Sequence, residues 1–113
     1  MTEVVLILTT APAGPQADQL ARAVVDERLA ACVNIGPPMT SIYRWQGSVE
    51  REQECQLVMK TTRASVAALE RRLKELHPYE LPEFLVLTTS GGSADYLRWV
   101  RDETAGADAG RTR

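Results

Sequence analysis

This 113-residue chain lacks a long hydrophobic run. No apolar segment approaches the roughly 20 residues that a membrane-spanning helix needs. The first residues, MTEVVLILTTAP, carry an acid where a signal peptide has basic residues, and their apolar run is short and rich in β-branched side chains. The sequence therefore predicts a cytoplasmic protein that does not use a membrane, and we interpret the opening segment as a first β-strand.

Cysteine and histidine, which commonly bind metal or perform catalysis, are also scarce. The chain has two cysteines, Cys32 and Cys55, without a C-x-x-C spacing, and one histidine, His77. The common catalytic signatures G-x-S-x-G and H-E-x-x-H are missing, as is a glycine-rich phosphate-binding motif. We therefore expect a protein that is not an enzyme. The formal net charge of -2 argues against nucleic acid as a partner.

What the sequence does contain is a long β-hairpin between residues 31 and 60, with a tight turn at Gln46-Gly47. Glycine accepts the positive φ that such a turn requires. Apolar residues farther from the turn reach one common sheet face only if the first strand contains an extra residue, which aligns Ile35 with Leu57. We expect this bulge at Gly36-Pro37-Pro38, because proline cannot donate a ladder hydrogen bond. Opposed residues share a face, so four residues near the turn lie together: Tyr43, Trp45, Glu50 and Glu52.

The remaining pattern predicts two split β-α-β units and a final helix. The continuous apolar runs at 4–8 and 84–87 are typical of strands that are buried on both faces. Between them, periodic apolar residues indicate helices that begin at Pro15 and near Thr62, and the last helix is predicted over 94–103. The predicted fold is α+β, a ferredoxin-like sandwich with a long bent hairpin and an extra C-terminal helix. Residues 1–104 form the single predicted domain, and residues 105–113 a flexible tail.

In this fold the strand from Ala31 to Trp45 lies at a sheet edge. A long unpaired edge promotes aggregation unless another chain pairs with it. We therefore expect a closed oligomer in which each hairpin extends the sheet of a neighbour.

Several segments resemble one known family, the CutA divalent-cation tolerance proteins. They run in order through the chain except its tail: TTAP at 9–12, LAACVNI at 29–35, SIYRWQG at 41–47, KTT at 60–62, HPYELPE at 77–83 and DYLRW at 95–99. The resemblance implies a ferredoxin-like protomer in a compact homotrimer. It also implies a link to copper and other divalent cations, in tolerance of and response to metal ions, and a structural likeness to the PII signalling proteins.

The family's proposed copper ligands transfer only in part. A cysteine found in some members corresponds to Thr9, and a histidine pair corresponds to Leu76 and His77, so the resemblance retains only His77. Glu80 and Glu83 could add oxygen ligands. We expect weak binding of Cu²⁺ or another divalent cation, which is not needed for folding. The alternative for His77 is structural, since its imidazolium would interact with the carbonyls at a helix C-terminus.

A second candidate site combines five residues that form either a ligand cleft or a trimer interface: Tyr43, Trp45, Lys60, Tyr79 and Glu80. Aromatic side chains of this kind commonly fill interfaces between subunits. As a cleft, the set supports an alternative function, that of a PII-like trimeric regulator that binds a small anionic metabolite between subunits.

The alternating acids Glu50, Glu52 and Glu54 share one face of their strand. We interpret them as a solvated face or as salt-bridge partners. Opposed across an oligomer axis, their oxygens could instead collect divalent cations.

Overall fold

A computed structural model of the chain describes residues 3–112, and side-chain environments for residues 3–104. Within these residues, strands and helices follow in this order: β1 Val4–Pro12, α1 Pro15–Asp26, β2 Cys32–Ile35, β3 Met39–Trp45, β4 Ser48–Thr62, α2 Val66–Leu76, β5 Leu85–Thr88 and α3 Ala94–Thr112. A single 3₁₀ turn, Arg63–Ser65, precedes α2. The fold is the predicted ferredoxin-like α+β architecture.

All strands belong to one antiparallel sheet with the order β2-β4-β1-β5, and β3 pairs with the other half of β4. The central strands are β1 and β4, and β2 with β3 forms an edge, as the sequence predicts. The order follows from the length of β4, whose 15 residues pair with three strands in turn.

The predicted hairpin register is confirmed in both halves. Near the turn, Trp45 lies opposite Ser48 and Tyr43 opposite Glu50. Beyond the bulge, Ile35 lies opposite Leu57. The extra residue lies between Ile35 and Met39, in Gly36-Pro37-Pro38, where pairing to β4 is interrupted.

Three predicted boundaries were wrong. Strand β1 does not end at residue 8 but continues to Pro12, because the TTAP segment still pairs with β4. Helix α2 begins at Val66, after the 3₁₀ turn, later than predicted. Helix α3 continues to Thr112, well past the predicted end at residue 103. The side chains of the predicted tail, 105–113, lie outside the described residues, so its flexibility stays a prediction.

One face of the sheet is covered by α1 and α2. Buried residues recur on these helices at intervals of three and four, as in Leu20 and Val24 of α1 and Leu69 and Leu73 of α2. They pack against alternate residues of the central strands: Val5, Ile7, Ala11, Cys55, Leu57 and Met59. Cys32 and Cys55 are both free, and Cys32 projects from the opposite face.

On the other face of the sheet, Leu97 and Val100 of α3 pack at one end against Val4 and Ala31. Beyond this contact lie five apolar residues that we call the open sheet face: Leu6, Leu8, Val58, Leu85 and Leu87. They are mutually adjacent through the pairings of β1 with β4 and β5. Leu85 is 54% exposed and Leu87 is 39% exposed. The apolar runs in β1 and β5 predict strands buried on both faces. A single chain buries β1 fully on one face only and leaves all four residues of β5 exposed.

None of the helices described is long and apolar enough to cross a membrane. The compartment in which the protein works stays a prediction.

Candidate functional site

Polar and aromatic side chains come together around a cavity of about 760 Å³. It lies where the loop between α2 and β5 meets the hairpin formed by β3 and the first half of β4. Its lining residues are Thr10, Ser41, Tyr43, Arg44, Trp45, Glu52, Glu54, Tyr79, Glu80, Leu81, Pro82, Glu83, Phe84 and Leu85. Leu85 also belongs to the open sheet face, so the cavity adjoins that surface.

The path of the loop is set at the end of α2. His77 leaves the helix with extended backbone angles because Pro78 disfavours helical geometry in the preceding residue. Its ring then lies in the protein interior with only 8% exposed. There Nε2 is 2.6 Å from the carbonyl oxygen of Thr10 in β1. This contact fixes the loop against the central sheet.

Both ring nitrogens of His77 are engaged. The backbone N–H of Tyr79 donates a 3.1 Å hydrogen bond to Nδ1, so Nδ1 is the unprotonated nitrogen and Nε2 carries the proton that it donates to Thr10. In this arrangement neither nitrogen offers a lone pair to a metal ion. In the structural alternative predicted for His77 from the sequence, its ring interacts with carbonyls at the C-terminus of α2. The ring instead contacts a carbonyl of β1.

At the inner end of the cavity, the phenol of Tyr79 donates a 3.0 Å hydrogen bond to Oε1 of Glu54. Burial, together with this hydrogen bond and the charge of Glu54, raises the pKa of Tyr79 far above its ordinary value. The phenol therefore stays protonated and remains a donor. Glu54 itself is 7% exposed, which places a carboxylate in the interior of the fold.

A second carboxylate, that of Glu83, lies at the same end of the cavity. Its Oε2 is buried and, among the side chains that the structure describes, is the one buried nitrogen or oxygen without a hydrogen-bond partner. Burial, and then the charge of Glu54, raise the pKa of Glu83. An unpaired buried acceptor is costly in a folded protein, so a donor from outside the chain would be stabilised here.

The outer part of the cavity is acidic as well. Burial raises the pKa of Tyr43, and the charges of Glu52, Glu50 and Glu54 raise it further. Among the described residues that line the cavity, Arg44 is the only one with a positive charge. The cavity therefore favours cations over anions.

The structure brings together most of the residues predicted for a cleft. Tyr43, Trp45, Tyr79 and Glu80 line one cavity, and Glu83 lines it with them. Lys60 does not: its ammonium group contacts Asn34 Oδ1 and lies 3.8 Å from Cys32 Sγ, across the β2–β4 pair.

The residue that sequence reasoning missed is Glu54. We interpreted it, with Glu50 and Glu52, as part of a solvated face, but β1 extends far enough to place Pro12 opposite Glu54. The signal for this burial lies in the TTAP segment. If β1 is taken to continue through TTAP, it pairs with the part of β4 that contains Glu54, and this part of β4 then has a strand on both sides.

The predicted metal ligands His77, Glu80 and Glu83 do not form a cluster. Among the residues described, no group of three or more His, Cys, Asp or Glu side chains could hold a metal ion. The site is suited instead to loose association with cations through separate carboxylates.

Comparisons with known proteins agree on one family. Residues 5–103 match the family model described as CutA1 divalent ion tolerance protein. A divalent-cation tolerance protein CutA from Thermus thermophilus is 51% identical over 104 residues, covering 92% of this chain and 99% of the relative. The protein of the same description from Pectobacterium atrosepticum is 43% identical over 100 residues, covering 88% and 91%.

Solved structures show the same likeness. The divalent cation tolerance protein Cut A1 from Thermus thermophilus has a TM-score of 0.87 at 48% identity and covers 89% of this chain and 98% of its own. CutA from Xylella fastidiosa has a TM-score of 0.88 at 46% identity, covering 91% and 99%. CutA1 from Oryza sativa has a TM-score of 0.88 at 35% identity, covering 91% and 94%.

Proposed function

This chain belongs to the CutA1 divalent ion tolerance protein family, and from that premise we propose that it supports tolerance of divalent cations, including copper, as a homotrimer that binds these ions weakly. The observation that carries the proposal is the acidic cavity between the hairpin and the loop that follows α2. Four carboxylates line it, from Glu52, Glu54, Glu80 and Glu83, against the single positive charge of Arg44. Such a cavity concentrates cations by its electrostatic field.

The proposed metal binding is weak for a geometric reason. Oxygen ligands suit hard divalent cations, but a tight site needs several of them converging at bonding distance. Glu80 and Glu83 contribute separate carboxylates, and both nitrogens of His77 are occupied by protein hydrogen bonds. We therefore assign the metal to the cavity carboxylates, with water completing its coordination, and not to the imidazole.

The open sheet face supports the proposed homotrimer. A sheet needs a packed layer on each apolar face, yet Leu85 and Leu87 remain exposed in a single chain. Contiguous exposed apolar residues of this kind commonly mark contacts between proteins. The hairpin, with Ile42 68% exposed and Val49 65% exposed, is long enough to reach a neighbouring subunit. Three copies could cover these surfaces for one another.

A non-enzymatic role is consistent with the names of the relatives, which describe tolerance proteins. The alternative of a PII-like regulator for a small anionic metabolite is not favoured, because the cavity repels anions and Lys60 does not contribute its charge there.

Calorimetric titration of the intact protein with CuCl₂, ZnCl₂ and ATP tests the proposal. We expect weak, saturable metal binding that the double variant Glu80→Gln/Glu83→Gln loses and that His77→Ala retains if it keeps its fold. A wild-type protein that binds neither metal would overturn the metal-binding role. Saturable ATP binding without a metal response would overturn it in favour of the anion regulator.

A further inference from the structure

The cavity contains most of the aromatic side chains of the protein. The chain has two Trp, three Tyr and one Phe, and four of these six line the cavity: Tyr43, Trp45, Tyr79 and Phe84. Trp45, Tyr79 and Phe84 are half-buried, and Tyr43 is 42% exposed. Their rings are therefore sheltered and still accessible to a ligand. Aromatic faces attract cations through the ring quadrupole.

The carboxylates have a graded arrangement from the mouth of the cavity inward. Glu52 and Glu80 are exposed, whereas Glu54 is buried and already accepts the Tyr79 hydrogen bond. Glu83 is half-buried, also lines the cavity, and has a buried Oε2 without a partner. The Glu83 carboxylate therefore lacks an internal donor that an N–H group of a ligand would supply.

These features together select among cations. A metal ion requires converging oxygens, and the described residues contain no such cluster. An alkylammonium ion requires less: one or two carboxylates for its N–H groups and apolar or aromatic surface for its carbon chain. The volume of about 760 Å³ falls within the range of about 300–1,000 Å³ that is usual for small organic ligands.

We propose that the cavity is a binding site for an organic ammonium ion, held by the carboxylate of Glu83 and by the rings of Tyr79 and Trp45. The inference rests on the proposed role of the cavity in cation binding and specifies its ligand class. The proposed divalent cations use Glu80 and Glu83 of the same cavity, so the two kinds of cation compete for Glu83. Because of this competition, the amount of divalent cation that the protein binds depends on the concentration of the ammonium ion.

The test uses intact protein titrated calorimetrically with 1,4-diaminobutane dihydrochloride, with neutral 1,4-butanediol as the matched ligand control. Three proteins are compared: wild type, Glu83→Gln and Glu50→Gln. Glu50 lies on the same strand face as Glu52 and Glu54 but outside the cavity lining. Glu50→Gln therefore removes the same charge from the surrounding field without removing a contact. Sedimentation and circular dichroism verify that each variant keeps the wild-type assembly and fold.

We expect saturable binding of the diamine and none of the diol. Glu83→Gln should weaken diamine binding by about tenfold or more, because a buried charge partner is lost, and Glu50→Gln should leave it nearly unchanged. Equal weakening by both substitutions would show that only the general acidic field acts, and would overturn the proposal. Copper binding without diamine binding would also overturn it, while leaving the proposed metal role intact.

A measurement on wild type alone keeps the proposal testable if Glu83→Gln does not fold. Intermolecular nuclear Overhauser effects from the diamine methylenes should reach the ring protons of Tyr79 and Trp45. The two aromatic residues outside the cavity, Tyr96 and Trp99, stack on each other with centroids 5.5 Å apart and serve as the internal control. Contacts with those two rings only, or with none, would overturn the proposal.

Discussion

The phenol of Tyr79 donates a 3.0 Å hydrogen bond to the buried Oε1 of Glu54 and so ties the loop after α2 to the middle of β4. The same loop is held to β1 by the contact of His77 with the Thr10 carbonyl. The two bonds attach one loop to both central strands. The geometry of the cavity therefore depends on the stability of the sheet, and not on the loop alone.

Replacing Tyr79 with Phe should destabilise the protein. The substitution keeps the ring but removes the hydrogen-bond donor of a carboxylate that is 7% exposed. Leaving a buried acceptor without its partner typically costs about 1–3 kcal/mol. Chemical denaturation at a fixed protein concentration measures the change. Tyr96→Phe removes the same hydroxyl from a ring that is 44% exposed and should have little effect; an equal loss in both variants would contradict the assignment.

Glu83 should make stability depend on pH. Its pKa is raised from an ordinary value of 4.5 by burial and by Glu54, so the folded state holds its proton to higher pH than the unfolded state does. The contribution of this group to stability is therefore fully present below pH 4.5 and is lost as the pH rises through the raised pKa. Glu83→Gln should flatten this part of the curve of unfolding free energy against pH. An unchanged curve in the variant would exclude Glu83 as the source.

The hairpin could be predicted from the sequence in detail because alternation of side chains has period two. A shift of one residue would expose Leu57 and bury its polar neighbours, so one register remained once the bulge at Pro37-Pro38 was placed. The same rule led to a wrong assignment of Lys60 to the cleft. Lys60 shares a sheet face with Glu54, but it lies six residues farther along β4, which places the two residues about 20 Å apart.

The cavity could be predicted only in part, for a different reason. The path of HPYELPE depends on a contact between His77 and the backbone of Thr10, and no local periodicity encodes a side chain that bonds to a distant carbonyl. The burial of Glu54 likewise depends on how far β1 extends. Tyr43 and Trp45 could be assigned to the site because the hairpin register places both on one sheet face near the turn.

The turn of the hairpin gives a local test. Gln46 and Gly47 both have positive φ, 50° and 86°, which is the two-residue turn that matches the twist of the flanking strands. Gly47→Ala should lower the free energy of unfolding by about 1 kcal/mol, because a Cβ is disfavoured in the left-handed region. Gly91→Ala is the matched control, since it also has open space for a Cβ and its φ is not positive. Equal stability of the two variants would contradict the assigned turn.

The open sheet face gives the test of assembly. Leu87 is 39% exposed on this face, and Val25 is 39% exposed on α1, which packs on the opposite side of the sheet. Glutamate at position 87 would place a charge in the proposed contact between subunits, where burying an unpaired charge is strongly unfavourable. Leu87→Glu should therefore shift the assembly toward single chains, whereas Val25→Glu should not. Sedimentation equilibrium at submicromolar protein measures the mass of each variant. A wild-type protein that is already monomeric and well folded under these conditions would refute the trimer itself, while a Leu87→Glu protein that keeps the trimer mass would show that the subunits meet elsewhere.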